Sequence, residues 1–491
     1  MSVAKFIKSY QLSNPEKFNE DLINLKKNED ITMYISDVCK SLEIIEYIEF
    51  LGCEYQEMNK VYKNTSASKE IDIEESRLVN LVMRFRISKD GEEEIIEKKL
   101  FFPELIDGQY FIINGNRFFP VFQLVDSGTY KTSKAVTIKT ILMPISARED
   151  KKGKFEDMDG NSYTSKILNL NTFKGKLNLF LYYYAKFGFD KSLNYFGLDQ
   201  YISVTEEKDE DSDITFSINK NLFINVFDSE TLDDPNTRIL IFTFMKSLPQ
   251  RINNKKIQDH EYWIKKLGSN FTKNNSNQHQ KGLSILASFE RLLDETTKRY
   301  LRISNKDKSD IYSIVRWMAS NYSILYKQDN MDLANKRLRL YEYLIYPLVM
   351  KFSTSIYRIQ NSRNVTMQQL KSMFNIQQGF LVKALVSNEL IRYSNAVNSI
   401  DLFTSILKGT MSGPQSQMSG GNTINVRYRG IHSSYLGRFD LCATAASDPG
   451  VSFTLTPFCD IYENMHFTKE PSYAEFIDLE DTIEEEDLTW K

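Results

Sequence analysis

The 491-residue sequence predicts an α+β fold. Three observations carry that reading. β-rich stretches crowd residues 81–143, helical stretches gather at 14–60, 176–196 and 310–407, and no regular strand–helix alternation of the doubly wound kind joins them. No internal repeat is visible.

Residues 14–60 read as helical. Asn14-Pro15-Glu16 suits a helix start, since proline is tolerated in a first turn, and Ile31 to Phe50 carries apolar residues at irregular helical spacing. In 81–87, apolar Leu81, Met83, Phe85 and Ile87 alternate with Val82, Arg84 and Arg86, the period of a half-buried strand. Asp90-Gly91 marks a turn and 95–102 the returning strand. Asp107-Gly108 marks another turn. Asn114-Gly115, between β-rich 109–113 and 117–124, favours a type I′ hairpin because both central residues need positive φ. Pro120 suggests an edge or a bulge in the second strand. Residues 135–143 form a further β-branched run, ended by Pro144 and a charged loop to about Gly160.

Residues 176–187 read as a helix closed by Gly188, with a second short helix at 191–196. Segment 205–213 is an acidic loop, and Asn-, Lys- and Gln-rich 251–281 reads as flexible connections. Helices return at 310–327, at 338–358 (where Pro347 should kink or break the helix), and at 366–374, 382–390 and 402–407. The four glycines and one proline of 409–421 require a loop. Residues 475–487 hold eight acidic and no basic side chains, a tail that is solvated or docks on a basic partner.

Hydrophobic residues make up 41% and charged residues 26%, the balance of a soluble globular chain. At about 150 residues per domain the length suggests two to four domains. The formal net charge of -3 excludes a polycation, so nucleic-acid contact must come from local basic patches. Four cysteines form no C-x-x-C pair and four histidines lie far apart, which points to buried thiols in a reducing compartment and away from a metal site. Met-Ser-Val-Ala-Lys-Phe-Ile-Lys lacks a signal-peptide core, and no apolar run reaches membrane-spanning length, so a cytoplasmic protein without membrane contact is expected.

No catalytic or metal-ligating residue is expected on this chain. There is no G-x-x-x-x-G-K-[ST] phosphate loop and no Asp-x-Asp-x-Asp cluster. Asp157-Met158-Asp159-Gly160-Asn161 lacks the terminal glutamate of a calcium loop and reads as a β-turn. Two basic constellations remain. Asn335-Lys336-Arg337-Leu338-Arg339, with Arg358 and Arg363 further on, reads by charge alone as a solvated helix start capped by Asp332. Arg427, Arg429, His432 and Arg438 could grip phosphates or bridge internally to acids.

In order along the chain, four stretches resemble the N-terminal part of the β (second-largest) subunit of multisubunit DNA-directed RNA polymerases. Asp107-Gly108-Gln109-Tyr110-Phe111-Ile112-Ile113-Asn114-Gly115, followed by Gln123-Leu124, is similar to that family's G-x-F-I-I-N-G-x-E-R-V-I-V-x-Q-L. It departs at Arg117-Phe118-Phe119, where the family has Glu-Arg-Val. Residues 177–198 look like the lobe's helix pair. Asp332-Leu333-Ala334-Asn335-Lys336-Arg337-Leu338-Arg339 is similar to D-H-L-G-N-R-R-I-R, one residue short. Arg429-Gly430-Ile431-His432-Ser433-Ser434-Tyr435-Leu436-Gly437-Arg438 looks like R-D-V-H-P-T-H-Y-G-R without a gap. The family's following E-T-P-E is missing, and Asp448-Pro449-Gly450-Val451 stands in for the end of that motif. A chain ending at Lys491 with this divergence resembles the split β subunits of giant (jumbo) bacteriophages.

The resemblance implies a protrusion in two segments (1–130 and a helical 330–410), a lobe at 131–329, the start of the fork at 411–460 and an acidic tail at 461–491. It implies a share in nucleotidyl transfer by an assembled enzyme whose Mg2+ ions another subunit binds. The implied partners are a β C-terminal fragment, a β′ subunit or its fragments, a promoter-specificity subunit, the DNA template and the RNA transcript. The expected location is the cytoplasm of an infected host cell, or the virion. Arg337, Arg339, Arg427, Arg429, His432, Arg438 and Pro449 are the implied nucleic-acid-binding residues, with Arg429 and Arg438 contacting the hybrid backbone or supporting the loop that does, and His432 a hydrogen-bonding support and not an acid–base catalyst. The competing expectation is a non-catalytic nucleic-acid-binding or scaffold protein that retains the β-subunit fold.

Overall fold

The computed structural model describes residues 28–57, 75–106, 110–150, 152–172, 175–219, 221–301, 310–362, 365–394, 398–413, 429–443, 450–456, 459, 461 and 465–467. The chain divides into two compact units, Met1–Ser127 with Asp329–Lys491, and the contiguous Gly128–Gln328. The turn at Asp107-Gly108, the loop after Gly413, Arg427, Pro449 and the acidic stretch 475–487 lie outside the described residues.

In the first unit, helix Asn28–Lys40 buries Ile31, Ile35, Val38 and Cys39. The chain then becomes strand Ile48–Glu57 and not the continued helix expected over 14–60. It pairs with Leu78–Lys89, which pairs with Glu92–Pro103, all antiparallel. A register shift between Phe50 and Gly52 breaks the period of two, so the stretch showed neither a helical nor a strand period. Strands Phe111–Ile113 and Asn116–Pro120 flank a turn in which Asn114 (φ 49) and Gly115 (φ 73) both take the left-handed conformation. Pro120 marks neither an edge nor a bulge: it ends the middle strand of a three-stranded sheet, where the chain leaves for another sheet.

That second sheet runs Lys336–Arg339, Phe122–Asp126, Lys408–Thr410, Ser452–Thr454. Two expectations change here. Residues 336–339 are strand, not helix start, and Gly409 belongs to a strand, not to a loop. Helix Glu342–Asn361 passes through Pro347 without a stop. Proline forfeits one backbone hydrogen bond, while buried Leu344, Ile345, Leu348, Val349 and Phe352 hold the helix on both sides. Met367–Met373 starts with a capping box between Thr366 and Gln369. Phe380–Val386 is shorter than expected, because Ile391–Tyr393 pairs with Asn116–Pro120 as a strand.

The second unit holds a five-stranded antiparallel sheet in the order Gly175–Asn178, Leu168–Thr172, Ile145–Glu149, Ala135–Ile138, Thr129–Thr132. Residues 176–178 thus belong to a strand, and the helix is Leu179–Phe187. The strand expected over 135–143 stops at Ile138. Tyr182, Tyr183 and Tyr184 are fully buried, and each hydroxyl finds a partner: Thr172 Oγ1 at 3.2 Å, the Tyr312 carbonyl at 2.7 Å and Ser247 Oγ at 2.9 Å. Asp157-Met158-Asp159-Gly160-Asn161 is a turn, with Asp157 Oδ1 accepting from the Asn161 N–H at 2.7 Å.

Residues 251–281 are not flexible connections. They contain helices Asn254–Ile257 and His260–Ser269 and the start of Gln278–Glu290, with Trp263 fully buried. The last two helices cross at glycines. A Cβ on Gly268 would sit 1.9 Å from the Gln278 carbonyl oxygen, and one on Gly282 would sit 2.2 Å from that of Ile264. Gly268→Ala must therefore push the two backbones apart. It is expected to destabilise by about 1–3 kcal/mol in urea unfolding, while Lys265→Ala stays within about 0.5 kcal/mol of the wild type.

Candidate nucleic-acid interface

The turn before strand Lys336–Arg339 is built by carboxylates. Asp329 Oδ1 accepts from the Met331 N–H at 2.9 Å, and Asp332 caps the 3₁₀ turn Leu333–Asn335 by accepting from the Ala334 N–H at 2.9 Å. The strand's three cations then turn inward. Lys336 Nζ meets Asp126 Oδ1 at 2.7 Å. Arg337, 3% exposed, donates twice to Glu342, at 2.6 and 2.8 Å. Arg339, 1% exposed, donates from Nε to Gln123 Oε1 at 2.6 Å. Burial pulls the Arg339 guanidinium below its ordinary pKa, and the nearby Glu342 charge opposes that shift. Gln123 passes the connection on, its Nε2 donating to the Ser412 carbonyl at 2.9 Å.

Direct phosphate contact by Arg337 and Arg339 is therefore corrected. Both guanidiniums are enclosed and engaged within the protein. They position the strand, and Arg339 reaches Ser412 through Gln123.

The second constellation docks on the same turn. His432 caps the 3₁₀ turn Ser433–Tyr435, its Nδ1 accepting from the Ser434 N–H at 3.2 Å and lying 2.8 Å from Ser434 Oγ. Ser434 Oγ also accepts from the Leu333 N–H at 3.0 Å, so its own proton is directed at Nδ1. That leaves the imidazole proton on Nε2, 3.7 Å from Asp329 Oδ2. His432 thus links its own turn to the loop of Asp329.

Below it, Tyr435 and Phe439 enter a buried apolar cluster with Phe122, Leu124, Leu333, Leu338, Phe453 and Phe467. Phe439 stacks on Phe453 at 4.2 Å, a contact allowed by Gly409, where a Cβ would lie 2.2 Å from the Phe453 ring. Gly437 (φ 71) turns the chain, and Arg438, 2% exposed, donates back to the Ser434 carbonyl at 3.1 Å. Of its two expected roles, phosphate contact or support of the loop, the buried Arg438 is placed in the second, as a brace of its own loop. Arg429 is half-buried, its carbonyl accepting from the Gly450 N–H at 3.1 Å, and Ile431 and Leu436 are exposed. Of the described basic residues expected to face nucleic acid, Arg429 and His432 keep access to solvent.

Sequence reasoning missed Glu342 and His466. Glu342 carried no signal beyond its spacing of five from Arg337. His466, fully buried, bridges to Arg337 through the backbone and hydrogen-bonds Ser127 Oγ at 3.0 Å. Among the described residues no group of three or more His, Cys, Asp or Glu side chains is placed to hold a metal ion, and no helix is long and apolar enough to cross a membrane.

Residues 2–482 match the family model described as non-virion RNA polymerase subunit. No curated protein matches the chain. Matched over nearly its whole length, the chain belongs to the non-virion RNA polymerase subunit family and is a polymerase subunit of the virion-independent type.

Proposed function

We propose that this subunit is the N-terminal part of a β subunit, split as in giant bacteriophages, and that it forms one wall of the cleft holding the DNA template and the RNA–DNA hybrid. One observation carries the reading. The stretches that resemble β motifs, at 123–124, 332–339 and 429–438, are far apart in the chain yet meet in one buried cluster, with hydrogen bonds joining Arg339 to Gln123 and Leu333 to Ser434. That convergence gives the 429–438 loop a rigid base from which Arg429 meets backbone phosphate and His432 holds the loop's shape. Such contacts position the nucleic acid without reading its sequence. The reaction served is attack of the RNA 3′-hydroxyl on a nucleotide α-phosphate with release of pyrophosphate. Mg2+ ions held by another subunit would stabilise the attacking and leaving oxygens.

The test is assembly and transcription. Expressed with its β C-terminal-like and β′-like partners, the chain should co-purify in stoichiometric amounts. Arg429→Ala in that complex should lower RNA synthesis about tenfold at low salt, with the deficit shrinking as salt rises because one phosphate contact fewer makes the salt dependence shallower. A chain that stays monomeric beside those partners, or an Arg429→Ala enzyme with an unchanged salt profile, refutes the reading.

A further inference from the structure

A second basic feature lies away from the 429–438 loop. Between Tyr343 and Asn388 the chain has five basic residues and no acidic one, in a protein whose net charge is -3. Helices Glu342–Asn361 and Met367–Met373 frame a cleft of about 390 Å³ there, lined by Lys351, Arg358, Gln369 and several Ser and Thr hydroxyls. Lys371 is neutralised by Glu94. Among the described residues neither Lys351, Arg358 nor the neighbouring Lys98 makes an ion pair.

The unbalanced charge is felt locally. Burial, and then the Lys351 cation, depress the Lys98 ammonium below its ordinary pKa. Lys351 is held in place, donating to the Asn375 carbonyl at 3.0 Å and lying over the Phe380 ring at 5.5 Å. Gln369 Oε1 accepts the Thr366 N–H at 3.2 Å, which commits its oxygen to the helix cap and keeps its amide hydrogens for an acceptor. The hydroxyls of Thr354, Ser355 and Ser362 donate to carbonyls of their own helix, so they line the cleft without adding charge. Two uncompensated cations and an amide donor around one polar cleft suit an oxyanion with several acceptor oxygens.

We propose that this cleft binds phosphate through Lys351, Arg358 and the Gln369 amide, and that the phosphate belongs to the backbone of DNA engaged by the polymerase. The site is separate from the 429–438 loop and does not depend on the β-subunit reading.

Fluorescence anisotropy of labelled duplex DNA with the full chain tests it. Arg358→Glu should weaken binding about tenfold or more and make the slope of log affinity against log salt shallower by about one, with Arg358→Lys between it and the wild type. Lys255→Glu, the same charge change at an exposed position on a helix of the other unit, should leave both nearly unchanged. Thermal unfolding with and without inorganic phosphate separates the two sources. Phosphate-dependent stabilisation lost in Arg358→Glu, with DNA affinity unchanged, supports the site but assigns it to free phosphate. If Arg358→Glu matches Lys255→Glu in both assays and melts normally without phosphate, the proposal is overturned.

Discussion

Glu342→Ala is expected to destabilise the chain by about 3–5 kcal/mol, because it leaves a buried guanidinium without its carboxylate. Arg337 and Glu342 are 3% and 6% exposed and joined by two charge-assisted hydrogen bonds at 2.6 and 2.8 Å. The same carboxylate offsets the burial of Arg339. Urea unfolding of the purified chain measures the loss. The double substitution Arg337→Met with Glu342→Leu should restore most of it, since apolar side chains of similar volume avoid stranding either charge. A Glu342→Ala loss below about 1 kcal/mol would mean that Arg337 swings out to water and that the pair anchors nothing.

Phe439→Ala should rank beside it, at about 3–5 kcal/mol for a buried phenyl ring. The ring is 3% exposed, stacked on Phe453 at 4.2 Å and 4.9 Å from Tyr435. Its removal opens a void directly under the 429–438 loop. Thermal unfolding should fall, and RNA synthesis by the assembled enzyme should fall with it. Phe439→Leu, which keeps much of the volume, should retain more of both. An alanine variant that melts and transcribes like the wild type would show that the loop's geometry does not come from this packing.

What could be read from the sequence was set by how local the cause is. Asn114-Gly115 announced its turn because the requirement for positive φ lies within two residues. The alternation over 81–87 announced a strand for the same reason. Arg337 and Arg339 looked solvated because their partners are not adjacent: Glu342 lies in the following helix and Gln123 lies 216 residues earlier. Composition misled at 251–281, where Asn, Lys and Gln cover the outside of a helix pair whose fit depends on Trp263, Gly268 and Gly282. The 429–438 loop was recognisable as a motif, yet its anchoring was not. Nothing local says that His432 and Ser434 clasp the turn at Leu333 or that Arg438 folds back on its own loop.

The strand Phe122–Asp126 has both its neighbours, Lys336–Arg339 and Lys408–Thr410, more than 200 residues downstream. During synthesis at about 5–20 residues per second, it leaves the ribosome roughly 10–40 s before Arg339 can pair with Gln123. The whole of Gly128–Gln328 is made in that interval, and being contiguous it can close its own contacts first. The sheet beside the 429–438 loop is therefore among the last parts of the chain to form, and Phe122–Asp126 must wait through translation as an exposed apolar template for pairing.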